Sequence, residues 1–308
     1  LNTSNENIGS PNRQTLFQYT IVADWFVEYK KMMNTINDKS ISTSLFRSGE
    51  QNRLGYGIAY DVIGASGSID ELSSNPYWSK NSYLGHYYFS NETKKLVGAN
   101  YNRKATVTLQ TTPNFDNIGY ENPIMLYGPT FSSLMHGISG INYYKQDYLY
   151  DRGLTESGKR VKNIFSLITY LEQLGINEFS IEKDVALLYS RASEDWWQLK
   201  HKAIANKAVE AHLTQNAVME VLFKESIPFE LYYLDQPSLL KNLDDYKLVI
   251  LPFPYSISHE SHALINKLVS KGKKVLAINA NGEVDEVGNM HSTPLLNDTD
   301  YIHVDIPF

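Results

Sequence analysis

The chain of 308 residues contains no cysteine, which excludes disulfides and thiolate metal sites. That absence leaves the compartment open, because exported proteins also do without cysteine. An excess of basic charge is missing too. Lys and Arg number 28 against 34 Asp and Glu, giving a net charge of −6 with no basic stripe. Nucleic acid is therefore not an expected partner. No run approaches the roughly 18 apolar residues of a membrane span, and the first residues lack the charged-then-apolar pattern of a signal peptide. No membrane partner is expected, and cytoplasmic and exported locations both stay open. No His, Asp or Glu cluster has metal-ligand spacing. Where a dinucleotide fingerprint would need its glycines, the chain has Ser190-Arg191-Ala192-Ser193. The expectation is a protein without metal, nucleotide or other cofactor.

Aromatic residues, in contrast, are abundant: 22 Tyr, 12 Phe and 4 Trp. Tyr and Trp join a flat apolar face to a polar edge, which suits the mixed surface of a sugar ring. Most of them are also what a core of this size needs. With 42% hydrophobic residues the chain can bury more than one core, and its length favours about two domains.

Residues 1–6 read as the last part of a strand, so a preceding segment is expected. Apolar residues at three- and four-residue steps from Leu16 to Ile36 predict an amphipathic helix over residues 13–37. Strands are predicted at 41–46 (ISTSLF) and 58–65 (IAYDVIGA). The segment 66–88 reads as a long polar and aromatic connection that carries substrate contacts. A helix at 89–99, a strand at 105–110 (ATVTLQ), a helix near 128–138 and a strand at 140–144 (GINYY) follow. Val161, Ile164, Phe165, Ile168, Leu171 and Leu174 then mark one face of a helix stopped by Gly175. This α/β alternation is expected of the second half of an eight-stranded barrel, covering residues 1–178.

From about residue 183 the texture changes to short buried strands alternating with helices. Strands are predicted at 185–189, 229–234, 248–251 and 275–278, with helices over 195–225 and near 258–271. Residues 179–308 are thus expected to form an open parallel α/β domain of flavodoxin-like type. The pair Trp196-Trp197 is either an exposed subunit contact or one buried ring and one lipping the sheet.

Glycosidases that retain configuration place two carboxyl groups roughly 5 to 5.5 Å apart, and a parallel barrel carries such groups at the C-terminal ends of its strands. Glu6 and Gln110 both stand at predicted strand ends, but Gln110 cannot ionise. Asn5 offers amide hydrogens to a sugar hydroxyl. Taken alone, Asn-Glu near a terminus also fits a solvated carboxylate. Arg47 is a candidate for sugar hydroxyls, with a surface ion pair as the plainer role. Trp78, Tyr143 and Tyr144 are candidates for stacking on sugar faces. Asp61 either orients a neighbour or makes a buried structural hydrogen bond, and His136 is expected to pack or cap.

Asn5-Glu6, the strand ending at Gln110, the segment His136-Gly137-Ile138-Ser139-Gly140-Ile141-Asn142-Tyr143-Tyr144 and Gly153-Leu154-Thr155-Glu156-Ser157-Gly158 resemble glycoside hydrolase family 42, the β-galactosidases. The segment from about 183, with Asp244-Asp245-Tyr246-Lys247-Leu248-Val249-Ile250-Leu251-Pro252, is similar to that family's trimerisation domain. The resemblance implies that Glu6 is the general acid/base, that Gln110 stands where the nucleophilic Glu belongs, that a β-glycoside or oligosaccharide is the substrate, and that the protein is a homo-oligomer, a trimer. It also implies barrel strands before Asn5-Glu6 and further domain after the trimerisation region. Tyr143-Tyr144-Lys145-Gln146-Asp147 departs from the family's pattern after the eighth strand, so the sugar is not fixed. Three readings of Gln110 stand: an engineered Glu-to-Gln change, a natural loss of catalysis, or an acid elsewhere, such as Glu121. A non-catalytic carbohydrate-binding or scaffold protein on the same fold is the alternative function.

Overall fold

The computed structural model describes residues 11–39, 41, 43–47, 59–76, 87–101, 103–110, 124–144, 154–176, 182–240, 243–296 and 301–302. Two parallel sheets organise them. The first has four strands in sequential order, β1 (Thr43–Arg47), β2 (Glu71–Asn75), β3 (Lys104–Gln110) and β4 (Gly140–Tyr144). The helix α1 (Pro11–Ile36) leads into β1, and α2 (Tyr60–Ser66), α3 (Tyr88–Ala99) and α4 (Ile124–Met135) connect successive strands. The helix α5 (Glu156–Gln173) follows β4, its N-terminus capped by the Thr155 hydroxyl, which accepts from Gly158 N at 3.0 Å. Among the described residues strand and helix thus alternate from β1 to α5, the repeat of a parallel β/α fold.

Two elements differ from the sequence reading. Residues 58–65 have the aromatic and β-branched content of a strand, but the chain from Tyr60 to Ser66 is helical, closed by Gly67 in the left-handed region at φ 68°. Tyr60, Asp61, Ile63 and Gly64 are its buried residues, a one-sided pattern only a helix gives here. The strand falls instead inside the segment expected as a long connection. Glu71–Asn75 (ELSSN) has little β-propensity, yet it pairs on both sides, with β1 and β3. Its serines are buried, and Ser74 Oγ accepts from Tyr60 OH at 2.7 Å.

The second sheet holds β5 (Val185–Tyr189), β6 (Phe229–Tyr233), β7 (Leu248–Leu251), β8 (Lys274–Ile278) and β9 (Tyr301–Ile302), all parallel, in the order β6-β5-β7-β8-β9. This 2-1-3-4-5 order is that of flavodoxin-like folds. β5 is buried along its whole length, as a central parallel strand should be. The helix expected over 195–225 is three: α6 (Arg191–Lys200), α7 (Ala205–Ala208) and α8 (Glu210–Lys224). The helix α9 (His259–Ser270) begins at Ser258, whose hydroxyl accepts from Ser261 N at 3.1 Å.

One hydrophobic core runs through both sheets: Leu72, Val107 and Leu109 of the first join Leu187, Tyr189, Leu231 and Tyr233 of the second. The approach is close where α3 crosses β6. A Cβ placed on Gly98 would lie 2.6 Å from the Leu231 carbonyl oxygen, so only glycine fits at this crossing. Among the described residues, no helix is long and apolar enough to cross a membrane.

Candidate functional site

The four strands of the first sheet run in one direction, so their C-terminal ends form one rim. Arg47, Asn75, Gln110 and Tyr144 are the last residues of their strands. Arg47 is in register with Asn75, and Gln110 with Tyr144. Along β3, Ala105, Val107 and Leu109 are buried in the core shared with the helices. Thr106 and Thr108 have the opposite parity, and by register position 110 shares it. On β4 the same parity carries Gly140, Asn142 and Tyr144, of which Asn142 is exposed and Tyr144 is 51% exposed. A Cβ on Gly140 would meet Thr106 Cγ2 at 2.8 Å, so the two strands lie flat against each other at the base of this face. The face turned away from the helices is therefore small and polar near the base of β4, and it ends in an aromatic ring. Such a surface offers hydrogen-bonding groups and a stacking plane, the two things that a sugar ring requires.

The expected site residues fall differently against this rim. Asn5, Glu6, Trp78 and Glu121 lie outside the described residues. Arg47 and Gln110 occupy strand ends on the rim. Tyr144 is a half-exposed ring on the polar face. Tyr143 points the other way: its hydroxyl is 2.6 Å from Thr130 Oγ1 and its ring meets Phe165 edge-on at 5.8 Å, so it is held between α4 and α5. Burial there pushes its phenol up to about 12. The stacking role expected of Tyr143 is thus at odds with its packing.

A second polar centre, of whose residues only Asp61 is a candidate from the sequence, sits above β5. Arg191, the first residue of α6, is buried and reaches Asp61 on α2 (Nε–Oδ1 2.9 Å) and Asp195 one turn on (Nη1–Oδ2 2.8 Å). Its ring neighbour is Tyr19 of α1, with the guanidinium carbon 4.9 Å from the ring centre, and Tyr19 OH donates to Asp195 at 3.3 Å. Asp235, just after β6, accepts from the backbone N–H of Arg191 at 2.7 Å and of Ala192 at 3.2 Å. A doubly wound sheet binds phosphates at the helix start beyond its first strand. Here that helix start is already taken by the Asp235 carboxylate.

Three carboxyls thus surround one guanidinium in a dry site. Burial raises Asp195 to about 7 against the pull of Arg191, and raises Asp235 to about 6. Burial opposes the charge on Arg191 as well, but Asp61, Asp235 and Asp195 hold it well above its ordinary range. The sequence hints at this centre through the i,i+4 spacing of Arg191 and Asp195 and through Asp61, one of whose two expected roles, a buried structural hydrogen bond, is the contact it makes with Arg191. Asp61 lies 130 residues from Arg191, so the pairing of the two carries no local signal. Beside it, Glu194 receives hydrogen bonds from Tyr189 OH and from Gln215 Nε2 (3.0 Å) and faces His212 Nδ1 at 3.1 Å. Both tryptophans of the 196–197 pair are half-buried, with indole N–H groups donating to the carbonyls of Glu286 (3.2 Å) and Lys207 (2.8 Å). They pack on Phe253 and Tyr255 rather than standing free as a subunit anchor. His136 packs its ring on Phe223 at 4.7 Å. Among the described residues no group of His, Asp and Glu could hold a metal ion.

The chain has the fold of glycoside hydrolase family 42 β-galactosidases over most of its length. The β-galactosidase from Bacillus circulans sp. alkalophilus superposes with a TM-score of 0.72 at 15% identity, over 90% of this chain and 41% of that one. The cold-adapted β-galactosidase from Rahnella sp. R3 gives 0.70 at 15% identity, over 91% and 42%. An exo-carrageenase of the same family from Bacteroides ovatus gives 0.70 at 12% identity, over 96% and 43%. The chain therefore spans about two fifths of the length of these solved structures. At these identities the likeness is one of fold. No protein-family model and no curated protein sequence matches the chain.

Proposed function

We propose that this chain is part of a retaining β-glycosidase of β-galactosidase type, with residues 1–178 contributing the C-terminal part of the catalytic barrel and residues 179–308 a trimerisation-like domain. The observation that carries the reading is the register of the first sheet, which sets Gln110 beside Tyr144 on the rim of a glycosidase-like fold. In a parallel barrel that rim is where the chemistry is assembled. The distribution of uncovered apolar surface supports a larger barrel. Exposed large apolar residues recur along α1 (Phe17, Ile21, Trp25) and along α5 and its C-cap (Leu167, Tyr170, Leu174), the outermost helices of the arc. These two faces await the helices that flank them in a closed barrel.

In this reading Glu6 protonates the glycosidic oxygen as the aglycone leaves, and later deprotonates the attacking water. A carboxylate at position 110 would attack the anomeric carbon and hold the sugar as a glycosyl ester between the two steps. The Gln110 amide cannot form that ester. The chain as written binds a terminal β-linked sugar without turning it over. Asn5, Arg47 and Trp78 contact the sugar, with Tyr144 as the stacking ring of the strand end. Fold neighbours that include both β-galactosidases and an exo-carrageenase leave the sugar and linkage unassigned.

The test is Gln110→Glu in the complete polypeptide, assayed on an aryl β-galactoside. Turnover with retained anomeric configuration is expected, and Glu6→Gln in that background should lower it by about 10²–10⁴. Absence of turnover on every aryl β-glycoside, with sugar binding intact, would favour the second reading, a carbohydrate-binding protein in which Gln110 is the native residue. Gln110 itself is the observation behind that second reading.

A further inference from the structure

A cavity of about 260 Å³ lies where the two sheets meet, away from the rim. Its walls come from Lys94 on α3, Met135 and His136 at the end of α4, Leu222 and Phe223 on α8, and Phe229 at the start of β6. The lining is almost wholly apolar apart from its cations. Lys94 is only 8% exposed. Its ammonium donates to the Phe229 carbonyl oxygen at 3.1 Å and lies 5.1 Å from the centre of the Phe229 ring. Among the described residues no carboxylate pairs with it. Glu230 acts on it as a negative charge, but that carboxylate is engaged by Lys183, a further wall residue.

An ammonium carries three donors, and a buried one is costly unless its charge is met. The carbonyl and the aromatic face meet part of it. Lys94 also lines a mainly apolar cavity of the size of a small organic acid. We propose that this cavity binds a small monoanion with an apolar body, such as an aryl or medium-chain aliphatic carboxylate, its charge on Lys94 and its body against Leu222, Phe223 and Phe229. The volume is below the roughly 300–1,000 Å³ of drug-sized sites, which limits the ligand to the scale of benzoate or hexanoate. His136 is neutral at pH 7, since burial and then Lys94 depress it to about 4, so it contributes a hydrogen bond rather than a second charge. Burial, with Lys183, lowers Lys94 to about 8 against the opposing influence of Glu230, which leaves it mainly protonated at pH 7. Since α3 and α4 belong to the first sheet and α8 and β6 to the second, an occupant would tie the two together.

The test uses the full chain at pH 7 with benzoate, hexanoate and benzamide as probes, read by ligand-observed NMR and by thermal midpoint. Saturable binding of both acids is expected, with an upward shift of about 2–5 °C at saturating benzoate. Benzamide, which has the same shape without the charge, should bind at least tenfold more weakly. Lys94→Met should abolish the benzoate response while leaving the unliganded midpoint unchanged or higher. Leu222→Phe, which fills the chamber and keeps the cation, should abolish it too and covers the case in which Lys94→Met does not fold. Equal binding of benzamide and benzoate, a benzoate response that survives Leu222→Phe, or no saturable binding of either acid would each overturn the proposal. So would a response to chloride or phosphate as strong as that to benzoate.

Discussion

Arg191 at the start of α6 and Asp61 in α2 meet across the junction of the two sheets, Nε to Oδ1 at 2.9 Å, with neither side chain open to water. Removing one partner of a buried ion pair leaves the other charged and desolvated, a change that costs about 3–5 kcal/mol. Arg191→Met is the severe case, because it strands Asp61, Asp195 and Asp235 together. Asp61→Asn is milder, since Asp195 still pairs with the guanidinium. Denaturant unfolding should give a loss of at least about 3 kcal/mol for the first on this scale, and under about half of that for the second. A loss below about 1 kcal/mol for Arg191→Met would mean that the network is dispensable.

Gly98 marks a close contact between α3 and β6. An alanine there would place Cβ 2.6 Å from both the carbonyl oxygen and Cδ2 of Leu231. The carbonyl belongs to β6 and cannot swing aside, so α3 must move, at a cost of about 1–3 kcal/mol. Gly128, inside α4, is the control: among the described residues nothing lies within 4 Å of the place an alanine methyl would take, and Gly128→Ala should be neutral or gain up to about 1 kcal/mol from helix propensity. Parallel thermal melts of the two variants check both signs.

Those two junction contacts are invisible in the sequence, whereas much of the frame is legible. The three- and four-residue apolar steps of α1 and α5, and the short apolar runs of β5 and β7, each follow from one local period. Legibility fails where burial is polar. β2 contains two serines and an asparagine, and it is a strand because β1 and β3 on either side supply its hydrogen bonds. α2 carries the β-branched and aromatic residues that suit a strand, but its buried face fixes the helix. At the rim, the sequence locates Gln110 and Tyr144 at strand ends correctly. It offers no way to see that Tyr143 turns toward Thr130 and Phe165, because which face of a strand is inside depends on the sheet as a whole.

Two buried groups pull the pH dependence of stability in opposite directions. Asp195 is raised to about 7 by burial, so between about 3.9 and 7 the folded state holds more protons than the unfolded one, and stability falls as pH rises through that window. His136 is lowered to about 4 by burial and Lys94, so from about 6.5 downward the unfolded state takes up more protons, and stability falls as pH drops. The two slopes offset each other between about pH 4 and 6.5. Asp195→Asn should leave a profile that weakens on acidification, and His136→Phe one that weakens toward neutrality. Each is bounded by about 1.4 kcal/mol per pH unit. Urea titrations at half-unit pH intervals give the comparison, and identical profiles for both variants would sink it.

The apolar face of α1 makes the last prediction. Tyr19 and Ala23 are buried on one side, while Phe17, Ile21, Trp25 (58% exposed), Met32 and Ile36 (76% exposed) form a stripe on the largely opposite side. A stripe of this kind on a water-facing helix costs solubility and marks a surface that another element covers. If polypeptide outside these 308 residues closes the barrel, a charge placed there is buried in the complete protein and solvated in the isolated chain. Ile21→Glu should then destabilise the complete protein by at least about 2 kcal/mol and leave the 308-residue chain within about 0.5 kcal/mol of the parent. Trp25 gives an independent reading: the Trp25→Phe difference spectrum should show a blue-shifted indole in the complete protein and a water-exposed one in the isolated chain. Equal effects of Ile21→Glu in both, with Trp25 equally exposed, would mean that nothing covers this helix and that no barrel closes over it.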